Sequence, residues 1–502
     1  MKEPALADAR RVAQQALDLY ADDPAAEVIR AFDRRLQGPL RLALAGMIKA
    51  GKSTLLNAML GETIAATDAG ECTRVVTWYR RASTPSITLH PHVGEPRRLR
   101  FQREDGRVVI DLGSTTAEEV AWIDVGWPSE SLRSLILIDT PGIASLSAEV
   151  SARATGYLTT KSAASAPDAV IYLMRHLHSS DRNFLESFRD SAMGGSLTVN
   201  AVAVLSRADE IGSARIDSLL SAGQVAQRYA ADGDLHALVL DVIPVAGLVA
   251  ETARTLREEE FRSLTAVAGM ERTAREKLLL SADRFARPTD AIELSEATRR
   301  ELLSRFGLYG IRLSAALIRG GATTSTALAE GLLERSGLNT LQAMVRDHFR
   351  ARADTLKVYG ALPGLEEVLR ERPRPGSDAL LAEIERIFAT THSLRELAAL
   401  SRTRAGGYAL PVARLEEAER IVGGSGAAAQ TRLGLADDAD GQAVRQRADE
   451  LLTEWRGLAE SPLTERGAVG LCHTVIRSLE QIASQDGRGA VLLMGDDVAL
   501  SR

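Results

Sequence analysis

Several things are scarce in this sequence, and each scarcity excludes a class of protein. Only two cysteines occur, Cys72 and Cys472; that rules out a disulfide framework and fits two free thiols in a reducing compartment. No stretch approaches the roughly 18 uninterrupted apolar residues of a membrane span. Charges scattered through Met1 to Leu40 leave no apolar core for a secretory signal. Net basic charge is missing as well. The formal charge of -6 argues against a general affinity for nucleic acid or anionic membrane and leaves room only for local basic patches. Aromatic residues are sparse at 4%, whereas 45% apolar and 25% charged residues are the proportions of an ordinary soluble protein that can bury a large core. For 502 residues, at about 150 per domain, two to four domains are expected.

What is present falls into two halves. Ahead of Gly38, Ala9, Val12, Ala13, Ala16 and Tyr20 share one helix face, and after Asp23 and Pro24 a second helix presents Val28, Phe32 and Leu36. From Leu40 to about Gly247, strand-like runs ("LALA", "VVTWY", "SITLH", "SLILID", "AVIYLM", "AVAVL", "LVLDVIPV") alternate with helical ones, which is the α/β pattern. The basic segment "RRLRFQREDGRVVIDL" from Arg97 reads as a solvated hairpin. Beyond Gly247 the strands all but vanish. Leu338, Leu341, Val345, Phe349, Ala353 and Leu356 form an apolar helical stripe, and "PRPGSD" at Pro373, "GG" at Gly406 and "GGSG" at Gly423 punctuate the helices around it. The second half is therefore expected to be a bundle or stalk of long antiparallel helices.

Chemistry concentrates at the ends of the strand-like runs. "LALAGMIKAGKSTLLNAM", from Leu42, carries the spelling G-x-x-x-x-G-K-S between a buried strand and a helix. Gly46 and Gly51 permit a loop whose N–H groups, through Ala50, Lys52 and Thr54, surround phosphates; Lys52 reaches the terminal phosphates and Ser53 ligates magnesium. "LILIDTPG" supplies a second strand end, with Asp139 for the metal and Gly142 to sense the γ-phosphate. In "AVAVLSRADEIG", Asp209 can accept from the ring N–H and amine of guanine. Ser206 and Arg207 stand where Asn or Thr and Lys are usual, and Arg207 can lay its stem and guanidinium along the base. "LVLDVIPVAG" ends in Ala246, whose N–H is expected to meet the guanine O6, and Gly247. A mobile threonine should complete the magnesium shell. Thr63, Thr67, Thr73 and Thr77 are candidates, and Thr73 in "GECTRVVTW" is favoured because it follows the Gly70 segment and precedes a strand.

Other features are weaker. His176 and His178 in "RHLHSSD" read as a loop before a helix cap at Ser180 or Asp181 rather than as metal ligands. "GGSG" lacks the strands and basic run of an RNA clamp and reads as a break between helices. "FGLYGIRLSAALIRGG" from Phe306 is the most apolar helical stretch outside the first half. It packs inside a neck, or it faces lipid with Arg312 and Arg319 at headgroups.

"GMIKAGKSTLLNAML", "CTRVVTW" and "DTPG", with helices on both sides of the α/β half, resemble the bacterial dynamin-like GTPases. "SRADEIG", "RFGLYGIRLS", "LLERSGL" and "IVGGSGAAAQTRLGL" look more narrowly like the isoniazid-inducible dynamin-like proteins of mycobacteria and related actinobacteria, over nearly the whole chain. The resemblance implies an α/β P-loop GTPase head with a mostly parallel sheet, and an all-α neck and trunk. The expected boundaries are residues 1–38 for N-terminal neck helices, 39–268 for the head, 269–485 for neck and trunk, and 486–502 for a tail. It also implies GTP and GDP with Mg2+ as ligands and pairing through the heads or with a sister dynamin-like protein. Peripheral contact with lipid at the inner face of the plasma membrane, membrane remodelling or fission under envelope stress, and no nucleic-acid partner complete the expectation.

Where eukaryotic dynamins carry Gln and Ser in the phosphate loop, this chain has Ile48 and Lys49. Ile48 cannot orient water. Lys49 can place an ammonium on the leaving phosphate, or it points to solvent or a partner. Two alternatives stand beside this reading: a GTP-binding scaffold with little turnover, and a ribosome- or RNA-associated GTPase, which the acidic, strand-poor second half disfavours.

Overall fold

The structure, a computed structural model, describes residues 4–65, 75–104, 107–112, 114–141, 166–192, 199–212 and 214–493. Eleven strands are present among them: β1 (Leu40–Gly46), β2 (Thr77–Arg81), β3 (Ser86–Pro91), β4 (Arg97–Leu99), β5 (Phe101–Glu104), β6 (Arg107–Ile110), β7 (Val120–Trp127), β8 (Leu135–Asp139), β9 (Ala169–Met174), β10 (Ala201–Ser206) and β11 (Val242–Val245). Nine form one sheet in the order β11-β10-β9-β1-β8-β2-β7-β3-β4, and β5 and β6 pair as a separate hairpin within the basic segment that begins at Arg97. The five strands from β11 to β8 are parallel. β2 turns antiparallel against β8 and begins an extension of mixed direction.

Every residue of β1, β9 and β10 is buried. Parallel strands covered on both faces read as continuous apolar runs, and this explains why "LALA", "AVIYLM" and "AVAVL" show no alternation. One face packs Ala43, Tyr172 and Ala203 under Phe184, Phe188 and Ala222, carried on α4 (Ser179–Ala192) and α5 (Ser218–Ala230). The opposite face packs Leu42 and Leu44 under Leu55 and Leu56 of α3 (Lys52–Leu60), and the same apolar cluster runs on through Leu341 and Phe349 to Trp455 and Leu479 in the helical half.

That half is built from α6 (Gly247–Arg254), α7 (Glu258–Gly269), α8 (Glu296–Arg319), α9 (Ser325–Glu334), α10 (Ala353–Glu371), α11 (Ser377–Thr390), α12 (His392–Arg404), α13 (Val412–Ile421), α14 (Gly441–Glu460) and α15 (Arg466–Leu493), with shorter helices between them. The expected 338–356 stripe is buried apart from half-buried Ala353, but it does not lie on one uninterrupted α-helix. A helix over Leu338–Met344 passes into a π-turn over Val345–Arg350 before α10 starts. The break falls beside Arg352, whose guanidinium donates to the carbonyls of Val422 and Gly423. The "GGSG" stretch is thus a connection between helices, as its surroundings imply. Among the described residues, no helix is long and apolar enough to cross a membrane.

The chain start and the helical half form one body. α1 (Pro4–Leu19) and α2 (Ala25–Gln37) bury Val12, Ala16, Ile29 and Phe32 against Leu362, Leu365 and Ile384 of α10 and α11. This body grips the sheet at the end opposite the G-x-x-x-x-G-K-S loop. Arg35 of α2 is 2% exposed and pairs with Asp168, which is fully buried just before β9, at 2.8 Å. Its Nε donates to Asp168 Oδ1 (2.9 Å) and its Nη1 to the Gly360 carbonyl of α10 (2.8 Å). Asp168 Oδ2 accepts the Arg41 N–H at 2.8 Å. At the neighbouring edge, buried Arg404 of α12 donates to the carbonyls of His236, Val239 and Leu240, which lead into β11, and pairs with Glu419.

Burying a charge is tolerable only when its partners are present, so removing one member should cost more than removing both. Asp168→Ala is expected to lower stability by about 3–5 kcal/mol, whereas Arg35→Met with Asp168→Leu should lose clearly less. Urea unfolding followed by circular dichroism checks the order of the two.

Candidate functional site

β1 delivers the chain to Gly46 with φ 143°, where an added Cβ would stand 2.3 Å from the Leu173 carbonyl oxygen; only glycine lets the loop leave the sheet there. Gly51, at φ 93°, precedes the first residue of α3, so the loop's N–H groups converge at a helix amino end. Lys49 sits between them in the left-handed region at φ 61°, with its side chain and that of Ile48 exposed. Lys52 curls back over the loop, and its Nζ donates to the carbonyls of Gly46 (3.1 Å) and Met47 (3.3 Å). Burial pushes its ammonium pKa down while Asp139 pulls it up.

Asp139, at the carboxyl end of β8, accepts from the Ser53 hydroxyl at 3.1 Å through Oδ2. Its Oδ1 is buried and has no hydrogen-bond partner among the described residues. Burial raises the Asp139 carboxyl, against the opposing pull of Lys52, Ser53 and the Thr140 amide. An orphaned carboxylate oxygen beside a hydroxyl is a hard-oxygen pair of the kind Mg2+ takes, and the residues present fit that ion.

The third strand end carries the base loop. After β10, Arg207 takes a left-handed conformation (φ 51°) and a single turn over Ala208–Glu210 follows. Arg207 Nη2 donates to the Lys49 carbonyl (3.2 Å) and Nη1 to Glu210 (2.7 Å), so the guanidinium ties this loop to the glycine loop. Glu210 also pairs with Arg175 at 2.8 Å; it is a member of the site that the motif spelling did not single out. Burial raises the Asp209 carboxyl, with Glu210 adding to the shift and Arg207 opposing it. A cavity of about 170 Å³ lies between the two loops, lined by Ala50, Gly51, Thr54, Ser206, Arg207 and Asp209 among others, with Gly247 at its edge. Ala50, Gly51 and Thr54 of the glycine loop and Ser206, Arg207 and Asp209 of the base loop therefore border one cleft.

Ser206 lines the cavity, and its hydroxyl donates to the Met174 carbonyl at 3.1 Å. One expectation requires correction. The Ala246 N–H is not available to a guanine O6, since it donates to the Ser336 carbonyl at 2.9 Å and Ala246 is wholly buried. Thr73 and Gly142, together with Thr67 and Cys72, lie outside the described residues.

Elsewhere, His178 precedes α4 and its N–H donates to Asp181, as a cap loop requires. Among the described residues no group of three His, Cys, Asp or Glu can hold a metal. His392, Ser478 and Glu396 do meet inside the helical half, with Ser478 donating to Glu396 at 2.6 Å. Despite its burial, hydrogen bonds and charges from His392 and Arg432 hold the Glu396 carboxyl at about 2. The serine bonds to the acid rather than being served by a free base, so the cluster is structural.

Residues 42–200 match the model of the Dynamin family. The chain is 38% identical to Isoniazid-induced protein IniC of Mycobacterium tuberculosis over 95% of its own length and 98% of that protein's. It is 33% identical to Bacterial dynamin-like protein of Nostoc punctiforme over 118 residues, 21% of this chain and 17% of that one. Among solved structures, a chain of an oligomerised bacterial dynamin pair, described in terms of long-range sensing and tethering of membranes, overlays 97% of this chain and 76% of its own. At 12% identity and a TM-score of 0.35, that overlay is too loose to position any element.

Proposed function

The chain belongs to the bacterial dynamin-like family and is a GTP hydrolase, and from that premise we propose that it couples magnesium-dependent GTP turnover to pairing of its heads and to remodelling of a lipid surface. One observation carries the nucleotide part: Ala50, Gly51 and Thr54 of the glycine loop and Asp209 of the base loop line one cavity, Arg207 bridges the two loops, and Lys52 with the Ser53–Asp139 pair sits on the same glycine loop and the neighbouring end of β8. Lys52 would exchange its loop carbonyls for β- and γ-phosphate oxygens, an ammonium better satisfied by charge than by dipoles. Ser53 and Asp139 would hold Mg2+, which when bound draws negative charge from the phosphates. Asp209 would select guanine, with Arg207 flanking the base. Thr73 and Gly142 keep the roles their motifs imply, closing on the metal and on the γ-phosphate.

Residues 39–268 would act as the head, and 1–38 and 269 onward as neck and trunk; the expected boundary at 486 falls inside α15, which runs to Leu493. Lys49 takes the place of an external monovalent cation: its ammonium, on a loop apex that Arg207 pins by the Lys49 carbonyl, would swing onto the leaving phosphate when a second head covers the cleft. The lipid contact does not come from the stretch at Phe306. Phe306, Tyr309 and Leu313 are buried, and Arg312 spends its donors on backbone carbonyls.

Five measurements test this. Turnover per molecule should rise with protein concentration, and the protein should sediment with liposomes containing anionic lipid when GTP is present; hydrolysis without any lipid association would remove the membrane half. Lys49→Ala should lower kcat by about 10- to 100-fold, within the span of one charge-stabilising donor, and the wild type should need no potassium. Asp209→Asn should weaken GTP use and gain XTP use, because an amide N–H meets the extra carbonyl of xanthine.

A further inference from the structure

The cleft is not walled by the sheet half alone. α8 bends at Gly307 (φ 63°, ψ 173°) and there packs on Leu248, whose Cδ2 lies 3.6 Å from where a Gly307 side chain would begin. Leu248 lines the cleft. Further along α8, Tyr309 is buried and near enough to Asp209 for the carboxylate charge to add to burial in raising its phenol.

Three residues on stands the half-buried Arg312. Its Nε and Nη2 donate to the Leu279 carbonyl at 3.0 and 2.6 Å, Nη2 also to that of Leu280 at 3.2 Å, and Nη1 to that of Ala214 at 2.5 Å. Ala214 lies five positions beyond Asp209 and holds φ 56°, a conformation that a residue with a Cβ adopts only when its surroundings impose it. The companion loop is held from behind as well. The Ser336 carbonyl takes the Ala246 N–H, and at Gly337 (φ 80°) a Cβ would fall 2.1 Å from the Pro244 carbonyl oxygen, so the two backbones touch where β11 ends.

We propose that Arg312 is a positioning residue for the purine: by gathering the carbonyls of Ala214, Leu279 and Leu280 onto one rigid fork, it fixes the stretch that carries Asp209, and it makes guanine selectivity a property of α8 as well as of the base loop. The inference rests on the reading of Asp209 as the base-selecting group. A guanidinium can serve two backbone segments at once in a fixed plane, whereas an ammonium is a point donor on a flexible stem. Lysine at 312 should therefore keep the charge and lose part of the geometry.

The test compares GTP with ITP, which lacks the exocyclic amine that one Asp209 oxygen would accept. Arg312→Ala should raise KM for GTP about tenfold, equivalent to about 1.4 kcal/mol, with kcat at saturation within about twofold. It should also shrink the preference for GTP over ITP severalfold, and Arg312→Lys should fall between the two. A general loss of folded protein lowers apparent kcat and leaves the GTP-to-ITP ratio alone, so an unchanged ratio in variants of native melting temperature overturns the proposal. Should Arg312→Ala fail to fold, Arg312→Lys with wild-type KM and ratio overturns it equally. Asp209→Asn runs in parallel. Gain of XTP use upholds the base reading whatever Arg312 does, and its failure takes down that reading and this inference together.

Discussion

Asp168 and Arg35 bury opposite charges where water cannot reach them, and much of the molecule is arranged so that neither is left short of a partner. The carboxylate needs the Arg41 amide at the start of β1. The guanidinium needs a helical carbonyl from α10, more than 300 positions away in sequence. Meeting both demands fixes the chain start, the sheet and the helical half at a single point. Arg404 does the same at β11 through backbone carbonyls, so two buried arginines moor the helices to the amino ends of the strands. The carboxyl ends stay open for chemistry, as expected for an open α/β sheet.

This arrangement separates two kinds of stiffness. At the moored end, charges are paired in low dielectric and any change of geometry exposes an unpaired ion. At the cleft, Lys52 rests on loop carbonyls and one Asp139 oxygen has no partner among the described residues. Those are groups held in place by the fold but not satisfied by it. Arg207, donating to the Lys49 carbonyl, ties the two loops of the cleft together.

Most of the sheet and the phosphate-side residues were legible in the sequence because the information there is local: a glycine pair around Lys52, a carboxylate at a strand end, apolar runs long enough for strands and too even for amphipathic helices. The base side was legible only in part. Asp209 announces itself by position after β10, but whether the Ala246 N–H is free depends on Ser336, and what steadies Ala214 depends on Arg312. These are contacts between segments about 90 to 100 residues apart, and no periodicity encodes them. The apolar stretch at Phe306 shows the same limit. Its stripe says that it is covered, not by what, and the cover is α6 and α7 rather than a bilayer.

The packing of α1 and α2 on α10 and α11 also bears on how the chain is made. The apolar faces of Val12, Ala16, Ile29 and Phe32 are translated more than 300 codons before the side chains that shelter them, Leu362, Leu365 and Ile384. At about 5–20 residues per second that wait lasts on the order of tens of seconds. Throughout it the nascent chain carries these apolar helix faces unsheltered, a ready target for chaperones.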